Sequence, residues 1–231
     1  MSAEHPSLCG ILPVNKKAGI SSFSLVSLLR KKSKIEKIGH AGTLDPFATG
    51  VMVLLIGKLY TRLSDRFLTE DKQYSATLSL GTVTDTYDSD GQILSTSDLV
   101  PTQTELEKAL LSFQGECLQI PPMFSAKKIN GKKLYELARK GVTVEREPVR
   151  VKLKTELLSY EYPKVKLLVD CSKGTYIRTL AHDLGEMLGC GAHLSHLERT
   201  RSGTFLLEEC VSTDSLEDPA FDYRPYLRKC V

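Results

Sequence analysis

The chain has 231 residues, of which 41% are hydrophobic and 26% charged, a composition typical of a globular protein with one large domain or two small ones. No apolar run is long enough to cross a bilayer, and the first ten residues lack the basic and apolar segments of a signal peptide. The six cysteines are widely spread without C-x-x-C spacing, so we expect reduced thiols and no zinc site.

The first elements follow from the apolar pattern and its interruptions. Residues Ile11 to Val14 form a short apolar run that predicts a strand. Ser21 or Ser22 is placed to cap a helix through the sequence SLVSLLRKK. An apolar run from Val51 to Ile56, rich in valine, predicts a buried strand.

The stretch from His40 to Gly50, HAGTLDPFATG, is called the Asp45 loop below. Gly42 and Gly50 permit backbone angles that other residues avoid. Pro46 fixes its own φ and disfavours the helical region for Asp45, so we expect Asp45 to be held extended. A constrained loop before a buried strand is a suitable platform for one functional side chain. The alternative is a turn aspartate that satisfies local amides.

The middle of the chain alternates between strand and turn signals. The run from Tyr74 to Leu80 alternates and predicts a strand. The segment from Thr84 to Gly91, TDTYDSDG, is rich in turn residues, but its aspartates lack the spacing and the closing glutamate of an EF-hand calcium loop. The stretch from Thr104 to Phe113 predicts a helix, with Thr104 as a candidate cap.

A basic block lies between Lys127 and Lys154, where ten lysines and arginines face only three glutamates. Because the net charge of the whole chain is only +3, the remainder of the chain is acidic on balance. A local basic block on an otherwise acidic protein favours a polyanionic partner such as nucleic acid. The alternative is a solvated helix face with ordinary lysines.

The C-terminal half predicts two hairpin strands followed by a helix and more strands. The strands are Val149 to Tyr160 and Val165 to Cys171, and the helix opens at Gly174 and Thr175 and runs to about Leu188. The stretches from Ala192 to Arg199 and from Gly203 to Leu207 predict further strands. This mixed order with hairpin-like pairs indicates an α+β fold with a sheet rich in antiparallel pairs.

Four stretches, in order, together resemble the TruB-type tRNA pseudouridine synthases. They are GHAGTLDPFATGV, YSATLSLGTVTDTYDSDG, QIPPMFSAKKINGKKLYELARKG and CSKGTYIRTLAHDLGEMLGCGAHLSHL. The resemblance runs from about residue 10 to about residue 210. It implies the pseudouridine-synthase fold: an α+β domain with a mixed, largely antiparallel central sheet flanked by helices.

The resemblance also implies a domain organisation. Residues 1–210 are expected to form the catalytic domain, with a basic insertion at about 120–150 that grips RNA. Residues 211–231 are expected to be a short acidic tail in place of the PUA-type RNA-binding domain that many members carry. The chain departs from the family pattern at one further point: where members usually have Asp-Lys-Pro-x-Gly, it has Asn-Lys-Lys-Ala-Gly, with Lys17 at the proline position.

The resemblance assigns roles to individual residues. Asp45 would be the catalytic carboxylate, with Arg178 as its charge partner and Tyr74 stacking on the flipped uracil and assisting proton transfer from C5. His40 would enter the RNA loop and take the vacated place of the base. Further predicted substrate-binding residues are Lys16 and Lys128 at phosphates, Asp88 holding Arg178, and Tyr176 and Leu197 in the pocket wall. From the residues alone, Arg178 would be a helix-surface arginine, Tyr74 a packing residue and His40 a structural histidine.

The resemblance implies an enzyme that isomerises a uridine in the T-arm loop of tRNA, position 55, in the cytoplasm. Breaking the bond from uracil N1 to ribose C1′ and joining C5 to C1′ needs no redox step, so no cofactor or metal is expected. The expected partner is the T-arm stem-loop of tRNA, with no membrane, no guide RNA and a monomeric enzyme. Two alternatives stay open: a tRNA-binding or folding module, and the same isomerisation on another RNA.

Overall fold

The computed structural model describes residues 8–129 and 131–229. Cys230 lies outside the described residues, and so do residues 1–7, which make up most of the N-terminal segment that lacks signal-peptide features. Within residues 8–129 and 131–229, no helix combines the length and the apolar character needed to cross a bilayer.

The described residues form strands and short helices in mixed order. The strands are β1 (Gly10–Lys16), β2 (Ile38–His40), β3 (Thr49–Ile56), β4 (Lys72–Leu80), β5 (Thr82–Thr84), β6 (Ile93–Thr96), β7 (Gly115–Gln119), β8 (Lys128–Ile129), β9 (Lys132–Lys133), β10 (Val149–Glu161), β11 (Lys164–Cys171), β12 (Ala192–Ser202), β13 (Phe205–Leu206) and β14 (Val211–Ser212). The helices are α1 (Ser22–Ser33), α2 (Lys58–Thr61), α3 (Ser64–Leu68), α4 (Gln103–Leu110), α5 (Leu134–Ala138), α6 (Ile177–Leu188) and α7 (Thr213–Glu217).

The chain divides into two compact units, and the division falls inside β4 and β12. The first unit comprises residues 1–74 and 197–231, and its strands follow the order β14, β1, β3, β12. β1 pairs antiparallel with β3, whereas β14 pairs parallel with β1 and β12 pairs parallel with β3. Residues of β3 are buried on both faces of the strand, which explains its uninterrupted apolar sequence.

The second unit comprises residues 75–196 and contains the antiparallel neighbours β11, β10 and β7. Side chains on the first part of β10 alternate: Val151 and Leu153 are buried, and Lys152 and Lys154 are exposed. This period of two leaves one face for the core and one for solvent. The predicted α+β class with a mixed, largely antiparallel sheet is confirmed by the strand pairing.

Several local predictions are confirmed and others are wrong. Ser21, of the two candidates, caps α1, accepting a hydrogen bond from the Ser24 N–H. The cap of α4 is Thr102 and not Thr104, because Thr102 and Glu105 form a reciprocal capping box that starts the helix earlier. Strand β7 was not predicted, because its side chains do not alternate clearly between apolar and polar.

The C-terminal segment differs most from its predicted form. A short acidic tail was expected from residue 211, but residues 211–229 are a packed part of the first unit. β14 adds a parallel strand to β1, and α7 buries Thr213 and Leu216. Further along, the backbone of Arg228 exchanges hydrogen bonds with Ile11 at 2.8 and 2.9 Å. These backbone bonds make the segment part of the fold.

Candidate active site

Asp45 begins a tight turn in the first unit. Its carbonyl accepts a hydrogen bond from the Ala48 N–H at 3.1 Å, which closes a four-residue turn with Pro46 in the second position. Proline is favoured there because its fixed φ matches the turn. The side chain of Asp45 is half-buried, so the turn presents a carboxylate at the boundary between the protein and solvent.

The two residues that flank Asp45 are each held by buried groups. The Ser22 hydroxyl, 4% exposed as a residue, donates to the Leu44 carbonyl and accepts from the Leu44 N–H, both at 2.9 Å. On the other side, the Pro46 carbonyl accepts from the Gly19 N–H at 2.9 Å and from Lys16 Nζ at 3.1 Å. Because the backbone is bonded on both sides of Asp45, the fold sets the point from which its side chain starts.

Lys16 is the buried cation of this arrangement. Its side chain is fully buried, and Nζ donates to the carbonyls of Lys17, Ile20 and Pro46. Burial lowers the pKa of Lys16 to about 8, although the charge of Asp45 acts to raise this pKa. The prediction that Lys16 binds a phosphate does not fit this environment, since an amine without solvent exposure and with three carbonyl partners cannot reach an RNA backbone.

Arg199 lies beneath the Asp45 loop and was missed by the sequence reasoning. It is 1% exposed, and its guanidinium donates to the Val51 carbonyl at 2.6 Å and to the Gly42 carbonyl at 3.2 Å. A side chain at Gly50, where φ is +102°, would come within 2.3 Å of the Arg199 carbonyl. A signal existed, because Arg199 follows the apolar Leu197 by two residues and therefore shares its face of the strand.

His40 closes strand β2 at the start of the loop and is half-buried. Its Nδ1 is buried and has no hydrogen-bond partner among the described residues. Burial lowers the pKa of His40, and the charge of Arg199 lowers it further, so the ring is neutral at pH 7. The imidazole that is predicted to enter the RNA loop is therefore neutral, and removing a neutral ring from water costs less free energy than removing a charged one.

Tyr74 and Leu197, two other predicted site residues of the first unit, are also buried. Tyr74 is 8% exposed on β4, and Leu197 is 5% exposed on β12. Burial of both side chains agrees with a place in a packed wall. Their predicted roles rest on the resemblance.

Arg178 and Asp88 form a buried ion pair in the second unit. The guanidinium Nη1 lies 3.4 Å from Asp88 Oδ2, and the two side chains are 5% and 7% exposed. Arg178 also donates to the carbonyls of Thr86 at 3.1 Å and Phe124 at 2.8 Å. The helix-surface alternative for Arg178 is wrong, because this side chain ties the 86–88 turn to the start of the basic insertion.

Tyr176 precedes α6 and is fixed by an amide side chain. Its N–H donates to Gln119 Oε1 at 2.7 Å, and its carbonyl accepts from Gln119 Nε2 at 2.9 Å. The predicted opening of this helix at Gly174 is wrong, because α6 begins at Ile177. Gln119 was not singled out from the sequence, and no sequence pattern identified it.

The basic insertion, residues 120–150, carries accessible cations on short elements. Its hairpin of β8 and β9 has two residues in each strand, and Lys128 and Lys132 on it are exposed. Arg139 lies over the Tyr135 ring at 5.4 Å from its centroid, while Leu134 is fully buried. Leu134 and the buried residues Pro121, Pro122 and Ser125 thus anchor a surface whose lysines remain available to a polyanion, as expected for Lys128.

The structure gathers the predicted site residues into two groups. Asp45, Lys16, His40, Tyr74 and Leu197 belong to the first unit. Arg178, Asp88, Tyr176 and Lys128 belong to the second unit, where the ion pair of Arg178 with Asp88 is present. The pairing of Asp45 with Arg178 stays a prediction from the resemblance, whereas Lys16 lies in the same unit as Asp45 and bonds the carbonyl of the next residue, Pro46.

Two family models match adjoining parts of the chain. Residues 30–177 match the model described as TruB family pseudouridylate synthase (N terminal domain). Residues 178–231 match the model described as tRNA pseudouridylate synthase B C-terminal domain. The first of these covers more than half of the chain and includes the Asp45 loop.

Curated relatives and solved structures are similar over nearly the whole chain. The chain is 60% identical to "tRNA pseudouridine synthase B" of Protochlamydia amoebophila over 212 residues, which are 92% of this chain and 81% of that protein. It is 55% identical to the protein of the same name from Chlamydia trachomatis serovar L2 over 228 residues, 99% of this chain and 95% of that protein.

Among solved structures, the "Crystal Structure of a Cbf5-Nop10-Gar1 Complex" has 27% identity and a TM-score of 0.74, covering 96% of this chain. The chain spans 60% of the length of that protein. The "Structure of H/ACA RNP bound to a substrate RNA containing 2'-deoxyuridine" has 27% identity and a TM-score of 0.69, covering 96% of this chain and 59% of that one.

Proposed function

Because this chain belongs to the TruB family of pseudouridylate synthases, we propose that it isomerises the uridine at position 55 in the T-arm loop of tRNA. Family membership makes it an RNA pseudouridine synthase, an isomerase that converts uridine to pseudouridine in tRNA. Beyond family membership, we propose the target position and the roles of individual residues.

The reaction exchanges one glycosidic bond for another. The bond from uracil N1 to ribose C1′ breaks, the base rotates, C5 joins C1′, and the C5 proton leaves while N1 gains one. No atom is added overall, so the protein must hold a detached base and supply a group that stabilises or attacks the reacting carbon. A carboxylate at a fixed position meets this requirement.

The observation that carries the proposal is the fixation of Asp45. Ser22 holds the residue before it, and Gly19 and Lys16 hold the residue after it. A module that only bound tRNA would have no need for a carboxylate whose backbone is bonded on both sides. Lys16 also places a positive charge at the turn, since its Nζ donates to the carbonyl of Pro46.

The remaining roles follow the family resemblance. The target base is flipped out of the RNA loop at a cost of a few kcal/mol, and Tyr74 stacks on it to offset part of that cost. His40 occupies the place the base has left, and Tyr176 and Leu197 contribute to the pocket wall. Arg178, held by Asp88, supplies positive charge to the catalytic carboxylate.

The basic insertion provides affinity for the tRNA backbone. Lys128 and its exposed neighbours bind phosphates, and such binding weakens as salt increases. We propose a monomer acting on the T-arm stem-loop without a guide RNA. Since tRNA is the substrate, the cytoplasm is the proposed compartment.

The test is the Asp45→Asn variant on a T-arm stem-loop transcript. Carbodiimide labelling read at single-nucleotide resolution identifies pseudouridine and its position. We expect the wild-type protein to modify position 55, and Asp45→Asn to lose at least about 10³-fold in rate, while its Kd for the RNA changes little. The Thr69→Val variant, which alters an exposed helix-end hydroxyl in the same unit, is the control and should retain the wild-type rate.

Each contrary outcome has a distinct meaning. Turnover by Asp45→Asn would remove the carboxylate mechanism. Binding by the wild-type protein without any pseudouridine would favour a tRNA-binding or folding module. Modification of full-length RNA only after a second RNA is added would favour a guided reaction, whereas modification of the bare stem-loop excludes that need.

A further inference from the structure

The C-terminal segment reaches the backbone that carries Lys16. β14 pairs parallel with β1, with Val211 opposite Val14 and Ser212 opposite Asn15. Helix α7 begins at the next residue, Thr213, which is 2% exposed. A buried polar side chain must find hydrogen-bond partners or lose stability, so the bonds of the Thr213 hydroxyl are informative.

The Thr213 hydroxyl bridges the two residues on either side of Lys16. It donates to the Asn15 carbonyl at 2.7 Å and accepts from the Lys17 N–H at 3.1 Å. One hydroxyl therefore uses both its donor and an acceptor on the backbone that flanks a single lysine. Such a bridge fixes the peptide planes from which the Lys16 side chain starts.

The second of these bonds depends on a departure from the family pattern. The pattern that the chain resembles usually has proline at the position of Lys17, and proline has no N–H to donate. Lys17 supplies that donor, and its ammonium also pairs with Asp214 at 2.9 Å and Glu217 at 2.7 Å on α7. These ion pairs are exposed, so they add little stability. The bond from the Lys17 N–H to the hydroxyl of buried Thr213 is better shielded from solvent and is the stronger link between the two segments.

The link continues to the reacting group through Lys16. Lys16 Nζ donates to the carbonyl of Pro46, the residue directly after Asp45. A displacement of the Lys16 backbone thus moves a hydrogen-bond donor of the Asp45 turn. Displacing a reacting group by about 1 Å can cost about 10²-fold in rate without affecting substrate binding.

We infer that Thr213 is a positioning residue for the isomerisation: its hydroxyl holds the Lys16 backbone, and through Lys16 the carboxylate of Asp45. This inference rests on the proposed function, because it concerns the rate of the same reaction. The segment after residue 210 therefore contributes to turnover, although it lies beyond the last of the four stretches that resemble the family, which ends at Leu197.

The test compares variants that differ by the hydroxyl alone. Thr213→Ala and Thr213→Ser are nearly equal in size, and Thr213→Val keeps the shape of threonine without the hydroxyl. Single-turnover rates with the full-length protein in excess over a T-arm stem-loop are measured together with Kd. Because the enzyme is in excess, a partly unfolded preparation does not lower the rate constant of the folded molecules at saturation.

We expect Thr213→Ala and Thr213→Val to lose about tenfold in saturating rate, with Kd within about twofold of wild type. Thr213→Ser should restore the rate to within about twofold of wild type. Equal rates for Thr213→Ala and Thr213→Ser would overturn the inference, as would a loss confined to Kd or to thermal stability. If the wild-type protein forms no pseudouridine, the proposed function itself fails, which is distinct from either of these results.

Discussion

The Asp45 loop holds its charge in a fixed position, whereas the basic insertion exposes its charges to solvent. Both carry the charges on which the proposed reaction depends, and both contain glycines with positive φ. In the loop, buried side chains bond the backbone on each side of Asp45, and Gly50 packs directly on Arg199. In the insertion, elements of two to five residues carry exposed lysines, and Gly131 has open space around it.

The difference follows from what each charge must do. A carboxylate that acts on one carbon atom has to be held in position, since misplacement costs rate. A lysine that neutralises a phosphate acts at longer range and in several geometries, so it needs solvent access more than fixation. Substitutions in the loop should therefore change stability and turnover, and those in the insertion should change affinity and its salt dependence.

The largest expected difference between the two regions is the loss of stability when a glycine is replaced by alanine. Gly50→Ala places a methyl group 2.3 Å from the Arg199 carbonyl at a φ of +102°, so we expect the free energy of unfolding to fall by at least about 3 kcal/mol. Gly131→Ala, with φ of +78° and no neighbour within 4 Å, should cost about 1 kcal/mol. Urea unfolding followed by circular dichroism measures both; similar losses would contradict the comparison.

Ser22→Ala removes the hydroxyl that holds Leu44 and should affect turnover more than affinity. The buried N–H and carbonyl of Leu44 lose a partner, which should lower the free energy of unfolding by about 1–3 kcal/mol. We expect about a tenfold loss in kcat with an unchanged Kd for the RNA. Ser24→Ala, which alters an exposed hydroxyl on the same helix, is the matched control. Wild-type kcat in Ser22→Ala would show that the loop needs no such support.

The pH dependence of kcat should report the charge of Lys16. Burial lowers its pKa to about 8 from 10.5, so Lys16 carries its charge below pH 8 and loses it as the pH rises through that value. Lys16 Nζ donates to three carbonyls, and a neutral amine has only two N–H bonds, so kcat should fall as the pH rises, with a midpoint near pH 8. In the Lys17→Met variant, the pH at which kcat becomes half-maximal should be unchanged. A constant kcat up to pH 9.5 (about 1.5 units above the pKa) would exclude a role for the charge.

The smallest effect is expected in the insertion. Lys128→Ala should weaken tRNA binding by about threefold to tenfold and lower the slope of log K against log salt by about 1, because one phosphate contact is lost. The saturating rate should not change. Lys166→Ala, at an exposed lysine on β11, is the control and should alter neither quantity. A fall in saturating rate for Lys128→Ala would mean that the insertion positions the reacting base.

Much of the fold and part of the candidate site could be predicted from sequence because the signals are local. Alternation identified β4, β10 and β11, and the serine before an apolar repeat identified the start of α1. The glycines and the proline of HAGTLDPFATG indicated a constrained loop around Asp45, and the structure has positive φ at Gly42 and Gly50. Backbone preferences of this kind depend on the residue itself and its nearest neighbours.

The remaining features depend on contacts between distant parts of the chain. Ser22, Lys16 and Arg199 are ordinary residues in sequence, and their roles follow from the carbonyls that packing brings to them. The bonds from Thr213 to Asn15 and Lys17 join residues nearly 200 positions apart, which no local pattern can encode. The sequence by itself therefore determined the type of most of the longer elements, the constrained Asp45 loop and the family. Only the tertiary structure decided which buried groups hold that loop, because hydrogen bonding and burial depend on the partners that folding supplies.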